Sequence, residues 1–322
     1  MPIIDSSSYR PPPGLWGGHL QTIYPALVRR VSRITTQRER LETPDGDFLD
    51  LDWKIGNGCR RVAILTHGLE GGAGNTYIQG MAAAFFRKGW DVLAWNFRGC
   101  SQEPNRLLRS YHSGETGDLQ TVIAHALSTG RYGHLGLIGF SLGGNVTLKY
   151  LGDAGNAIDP RVAGAVVFSV PCDLASSSRK LENFTNRIYM HRFLVGLRKK
   201  IREKMQRFPG QLHDEGLDKM RTFQEFDGAY TAPIHGFLSA GDYWKRASSR
   251  PVLPAISRPT LMVNARNDPF LAPACFPFAE AAESRSFHFE APHGGGHVGF
   301  VSFNTQNQYW SETRALEFLE GL

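Results

Sequence analysis

The hexapeptide Gly139-Phe140-Ser141-Leu142-Gly143-Gly144 sets a serine between glycines two residues before and two residues after it. That spacing suits a nucleophile on a sharp turn, because residues without a Cβ let the chain reverse tightly and leave the hydroxyl exposed. A serine attacks a carbonyl only when a base takes its proton, and the base needs a carboxylate to fix its tautomer. Both follow in the chain. Asp268 stands in Asn267-Asp268-Pro269-Phe270, and two histidines stand in His293-Gly294-Gly295-Gly296-His297. Either histidine can serve as the base, and spacing alone leaves both open. The oxyanion of such a reaction also needs two backbone N–H donors. Leu142, directly after the serine, offers one, and Leu69 in His67-Gly68-Leu69-Glu70-Gly71-Gly72 offers the other. The chemistry is acyl transfer through a covalent serine intermediate. His67 itself reads as a hydrogen-bonded loop residue, and His112 and His235 lie in no motif.

These groups act only if the fold gathers them. Residues 60–66, 90–97, 134–140 and 162–170 are apolar, branched runs expected to form strands, and 76–89, 114–130 and 142–151 read as the helices between them. Strand and helix in that rhythm build a parallel sheet with helices on both faces. Residues 38–43 and 48–54 flank Pro44-Asp45-Gly46-Asp47 and read as an antiparallel pair at the sheet edge. The serine then sits where a strand gives way to a helix, and Asp268 and His297 follow later strands, at 259–264 and 286–290. Residues 273–283 and 304–319 read as further helices. From 172 to 250 no strand pattern is present, and the segment is helical, charged and too long for a loop, so it is expected to be a cap over the carboxyl ends of the strands. The expected organisation is an N-terminal arm over 1–37, a core over 38–171 and 251–322, and the cap over 172–250.

Composition narrows the class. Of 322 residues, 41% are hydrophobic and 20% charged, which excludes a disordered chain. The longest apolar stretch, 162–170, is about half of the ~20 residues that a membrane-spanning helix needs. The opening MPIIDSSSYRPPPG lacks the basic and apolar regions of a secretory signal. Four cysteines without a CxxC read as buried free thiols in a reducing cytoplasm. No HExxH, GxxxxGK[ST] or strand-linked GxGxxG is present, so no metal or cofactor is expected. The net charge is +6, and residues 172–250 hold 15 basic and 9 acidic side chains, which is the entire excess. There Met190, Leu194, Leu197, Ile201, Met205 and Phe208 form an apolar stripe, with Arg198, Lys199, Lys200, Arg202, Lys204 and Arg207 around it. A solvated basic face is one reading of it, and peripheral contact with an anionic membrane is the sharper one. A charge this local speaks against nucleic acid.

The chain resembles the YheT-like branch of the α/β-hydrolases. The matching stretches are Gly18-His19-Leu20-Gln21-Thr22-Ile23-Tyr24-Pro25, His67 to Gly72, Asn96-Phe97-Arg98-Gly99-Cys100-Ser101, Gly139 to Asn145, Asn267 to Phe270 and Gly295-Gly296-His297-Val298-Gly299-Phe300. The resemblance implies the α/β-hydrolase fold with a mostly parallel eight-stranded sheet. It implies Ser141 as nucleophile, Asp268 as acid and His297 rather than His293 as base. It further implies cofactor-free hydrolysis of carboxylic esters of short-chain or acylglycerol type, and the expected partner is a small-molecule ester with an apolar acyl group. Thioester hydrolysis or acyl transfer on the same three residues, and lipid binding without turnover, are the rival readings.

Overall fold

Branched apolar runs such as β4 (Arg61–Thr66) and β7 (Val162–Phe168) are buried along almost their whole length, as strands covered by helices on both faces must be. The computed structural model describes residues 2–31 and 34–322. In chain order the first elements are β1 (Ile3–Ile4), α1 (Gly18–Leu27), β2 (Gln37–Glu42), β3 (Phe48–Lys54) and β4. Next come α2 (Thr76–Arg87), β5 (Asp91–Trp95), α3 (Thr116–Ser128), β6 (His134–Phe140), α4 (Leu142–Ala154) and β7. The inserted segment holds α5 (Leu174–Leu181), α6 (Arg187–Arg207), α7 (Phe223–Phe226), a π-turn (Asp227–Thr231), α8 (Ala232–Ile234) and α9 (Ala240–Ala247). The chain then returns to the sheet through β8 (Thr260–Val263), α10 (Phe278–Glu283), β9 (Phe287–Glu290) and α11 (Trp310–Glu320).

Among the described residues the strands form one sheet of nine in the order β1-β9-β8-β7-β6-β4-β5-β3-β2. Only the β2–β3 and β3–β5 pairs are antiparallel. The sheet therefore has one strand more than expected, because Ile3 and Ile4 pair in parallel with Phe289 and Glu290. The N-terminal residues are not merely an extended arm. They contribute this edge strand and α1, neither of which was expected. Residues 304–309 form no helix, and α11 begins later than the pattern suggests.

Two apolar clusters, one on each face of the sheet, hold the layers together. Between them the strand order reverses around β4, with β5 on one side and β6 on the other. Ligands bind at the carboxyl ends of strands around such a switch point. The loops after β4, β6, β7, β8 and β9 all open there, and they carry Leu69, Ser141, Ser169, Asp268 and His297.

Candidate active site

Ser141 has φ 53° and ψ −120°, a strained elbow between β6 and α4. The flanking glycines make that elbow possible. A Cβ on Gly143 would lie 2.3 Å from the His67 carbonyl oxygen, and one on Gly139 would lie 2.7 Å from that of Gly143. The elbow is pinned where the Ser141 amide donates to Phe168 O at 2.9 Å. Glu70, Ser169 and Val298 also have positive φ, so strained backbone surrounds the serine on three more loops.

His297 Nε2 lies 2.9 Å from Ser141 Oγ, and His297 Nδ1 lies 2.9 Å from Asp268 Oδ2 and 3.2 Å from Oδ1. The arrangement fits a ring with its proton on Nδ1, donating to the carboxylate, and with Nε2 accepting from the serine hydroxyl. Asp268 is buried, and its Oδ1 also accepts from the Phe270 amide at 2.8 Å. The Phe270 ring covers the imidazole with centroids 4.1 Å apart. His293 is exposed, four residues away. Of the two histidines left open by spacing, the structure brings only His297 to the serine.

The helix that sequence patterning missed holds the histidine loop. His297 N donates to Thr22 Oγ1 at 2.8 Å, Gly295 N donates to Gln21 Oε1 at 2.5 Å, and Asn267 Nδ2 donates to the same oxygen at 3.1 Å. α1 packs so closely that a Cβ on Gly18 would stand 1.8 Å from Asn267 O. From the loop after β7, Ser169 Oγ accepts the Val298 amide at 2.9 Å. Gln21, Thr22 and Ser169 are therefore positioning residues. The first two lie in the Gly18-His19-Leu20-Gln21-Thr22 motif, which was the available signal, whereas Ser169 carried none.

The β4 loop closes the other side. Gly68 N donates to Tyr77 OH and Glu70 N to Tyr111 OH, both at 3.0 Å. Between them, the Leu69 amide makes no such bond among the described residues, and neither does that of Leu142. Both residues line the cavity at Ser141. The loop is braced from behind. Asn96 Oδ1 accepts Ala73 N at 2.9 Å, and the buried Arg98 guanidinium forks onto Asp118 at 2.6 and 2.8 Å. His67 is buried, its Nδ1–H donating to Gly68 O at 2.7 Å and its Nε2 accepting Phe97 N at 3.1 Å. Burial pushes its pKa down to about 4, so it stays neutral and braces the loop. His112 also lines the cavity, and burial holds it neutral too.

The cavity encloses about 810 Å³, counting its open mouth. Its wall is mostly apolar, with Leu69 and Leu142 from the core and Leu181, Phe193 and Leu197 from the inserted segment. The basic face of α6 differs from expectation. Lys200 Nζ donates to Glu70 Oε1 at 2.8 Å, Lys204 Nζ to Asn105 Oδ1 at 2.7 Å, Arg207 to Asn105 O and Arg198 to Met220 O. These cations are spent inside the protein, mostly tying the inserted segment to the core. The cysteines differ as well. Cys172 and Cys275 are buried side by side as free thiols, while Cys59 and Cys100 are half-buried.

Among the described residues no helix is long and apolar enough to cross a membrane. A family model described as the alpha/beta hydrolase fold matches residues 63–301. The YheT protein of Escherichia coli (strain K12), whose name assigns it provisionally to the esterases, is 35% identical over 98% of this chain and 93% of its own. The embryogenesis-associated protein EMB8 of Picea glauca is 28% identical over 98% of this chain and 72% of its own. Human phospholipase ABHD3 is 27% identical over 93% and 75%. Among solved structures, the Pyrococcus furiosus esterase Pf2001 overlays with a TM-score of 0.61 at 17% identity, covering 91% of this chain and 95% of that one, which is a likeness of fold alone. A family match over most of the chain and a relative aligned almost end to end lead to one assignment: this protein belongs to the α/β-hydrolase family, in the YheT-like branch.

Proposed function

We propose that this esterase- and lipase-type hydrolase cleaves carboxylic esters through Ser141, His297 and Asp268. The observation that carries the reading is the continuous relay from Ser141 Oγ to His297 Nε2 at 2.9 Å and from Nδ1 to Asp268 at 2.9 Å. Ser141 Oγ attacks the ester carbon and its proton passes to Nε2, while Asp268 holds the tautomer and stabilises the imidazolium. The Leu69 and Leu142 amides hold the tetrahedral oxyanion. Collapse expels the alcohol, which takes the Nε2 proton and leaves the acyl group on Ser141. Water, deprotonated by His297, then releases the carboxylic acid. We take residues 172–250 as the cap, since Leu181, Phe193 and Leu197 face the cavity from that segment, 38–171 and 251–322 as the core, and 1–37 as the N-terminal arm.

A fluorophosphonate probe is expected to label Ser141, and aryl esters of increasing acyl length are expected to be turned over with a preference for short or medium chains that fit the cavity. Absence of both labelling and turnover would overturn the proposal. Thioesters cleaved much faster than matched esters would move it to the thioesterase reading.

Membrane contact is better supported away from the basic face first considered. α1 and α6 meet where His19 stacks on Tyr189, with His19 Nδ1 3.1 Å from the Tyr189 hydroxyl. On these two helices and just before them Trp16, Leu20, Leu27, Phe184, Ile188 and Val195 are exposed, Ile188 to 81%. The sequence has no carboxylate between Asp5 and Glu39 or between Glu182 and Glu203, whereas Arg30, Arg187, Arg192 and Lys199 are exposed there. Exposed apolar side chains on two helices whose sequence neighbours are cations and not carboxylates suit an anionic lipid surface, and a second copy would bring the same cations against them. The protein is therefore expected to pellet with phosphatidylserine-containing vesicles, less with pure phosphatidylcholine, and with neither after Ile188→Asp and Leu20→Asp. Binding indifferent to both lipid charge and the substitutions would refute it.

A further inference from the structure

Among the polar groups of the cavity wall that the hydrolytic relay leaves unused, two on the inserted segment keep hydrogen-bonding capacity to spare. The first is Asp227. Its Oδ1 accepts Thr231 Oγ1 at 2.7 Å and its Oδ2 accepts Trp244 Nε1 at 2.8 Å. A carboxylate can accept about four hydrogen bonds, so capacity remains. No lysine or arginine lines the cavity, and Asp227 has no ion-pair partner among the described residues. Burial pushes its pKa up to about 6, which still leaves mostly the anion at neutral pH. The residue opens a π-turn, Asp227–Thr231, a rare geometry that recurs at functional sites. The second group is Ser178 on α5. Its hydroxyl is buried, belongs to a residue lining the same cavity, and has no hydrogen-bond partner, although buried hydroxyls are nearly always paired.

Half-buried among Phe223, Tyr243 and Trp244 with no cation beside it, the Asp227 carboxylate is stabilised further by a donor that joins it there. What can join it is restricted by charge. A phosphate, sulfate or carboxylate would meet Asp227 with no cation to offset the repulsion. An ammonium would meet both the carboxylate and aromatic faces suited to cations, and a hydroxyl would complete the oxygen's hydrogen bonds. We infer that this part of the cavity recognises a hydrogen-bond donor on the substrate, a protonated amine or a hydroxyl remote from the ester, with Asp227 as the acceptor and Ser178 in support. The inference rests on the ester-hydrolase reading and narrows its substrate class to polar, non-anionic esters.

Binding to the Ser141→Ala protein tests this without turnover, read by calorimetry. The acyl series is the ethyl esters of aminocaproic, hydroxycaproic and heptanoic acid with monoethyl adipate, and the alcohol series is the acetates of aminohexanol, hexanediol and heptanol. In at least one series a donor-bearing ester is expected to bind about 10-fold or more tighter than its alkyl counterpart, as one charge-assisted hydrogen bond can provide. The amine and hydroxyl arms show which donor is preferred, and monoethyl adipate is expected to bind weakest. Adding Asp227→Asn, which preserves an acceptor for Trp244, should erase the preference while leaving alkyl-ester affinity in place. Adding Ser178→Ala instead should reduce it by a smaller factor, about 2- to 5-fold. Equal affinity for donor and alkyl esters in both series, no binding of any donor ester, or an equal loss of all esters in Asp227→Asn would each overturn the inference. Wild-type turnover of the same esters is read separately, so failure of hydrolysis and failure of donor recognition are distinguishable.

Discussion

Ser141→Ala is expected to lower kcat/KM for ester hydrolysis by about 10⁴- to 10⁶-fold while leaving the protein folded. The size follows from the loss of the covalent route. Only the Leu69 and Leu142 amides and the cavity would remain to favour addition of water, and oxyanion stabilisation with binding alone accounts for a residual ~10³–10⁴ over the uncatalysed reaction. The fold should survive because the serine side chain bonds only to His297 Nε2 at 2.9 Å, while the elbow is held by the backbone bond from Ser141 N to Phe168 O. The thermal midpoint should therefore shift by no more than a few degrees. Turnover near the wild-type rate in a carefully purified variant would remove Ser141 from the mechanism.

The second large effect separates two histidines four residues apart. His297→Ala is expected to cost about 10³- to 10⁶-fold, since it takes away both the base for attack and the acid for the leaving alcohol. His293→Ala should stay within about twofold, as expected for an exposed surface side chain without a structural partner; His293 is exposed on the same loop. Circular dichroism and kcat/KM on one aryl ester suffice for the comparison. Equal losses would mean that the loop, rather than the imidazole, is what the substitutions disturb.

Most of the sheet and the proposed triad positions were legible because each rests on a local pattern. Branched runs such as Val162–Phe168 can hardly be anything but buried strands, and Gly139 and Gly143 are demanded by close backbone approach at the serine. α1 was illegible for an equally physical reason. Its buried residues are Gln21 and Pro25, while Leu20, Ile23 and Leu27 face outward. A reading in which apolar means inside turns that helix the wrong way round or misses it. The basic stripe misled similarly. Sequence shows that Lys200 and Lys204 flank an apolar face, but not that Glu70 and Asn105 wait for them across the interface. Asp227 had no motif at all, since its significance lies in what the cavity lacks around it. Cys172 and Cys275 lie far apart in the sequence, and only the layout of the strand ends makes them neighbours.

The bond from His297 N to Thr22 Oγ1 joins residues separated by 275 positions. Ile3 likewise pairs with Phe289 across the sheet edge. During synthesis, α1 leaves the ribosome long before the loop it must clamp exists, and closure over such a span comes late because its entropic cost precedes its reward. Ser141, its elbow and the β4 loop can assemble from the middle of the chain, whereas the imidazole reaches its working position only after the earliest and latest segments have found each other. A nascent or truncated chain would thus carry a shaped but isolated Ser141, and the relay from Ser141 through His297 to Asp268 would be completed in the last act of folding.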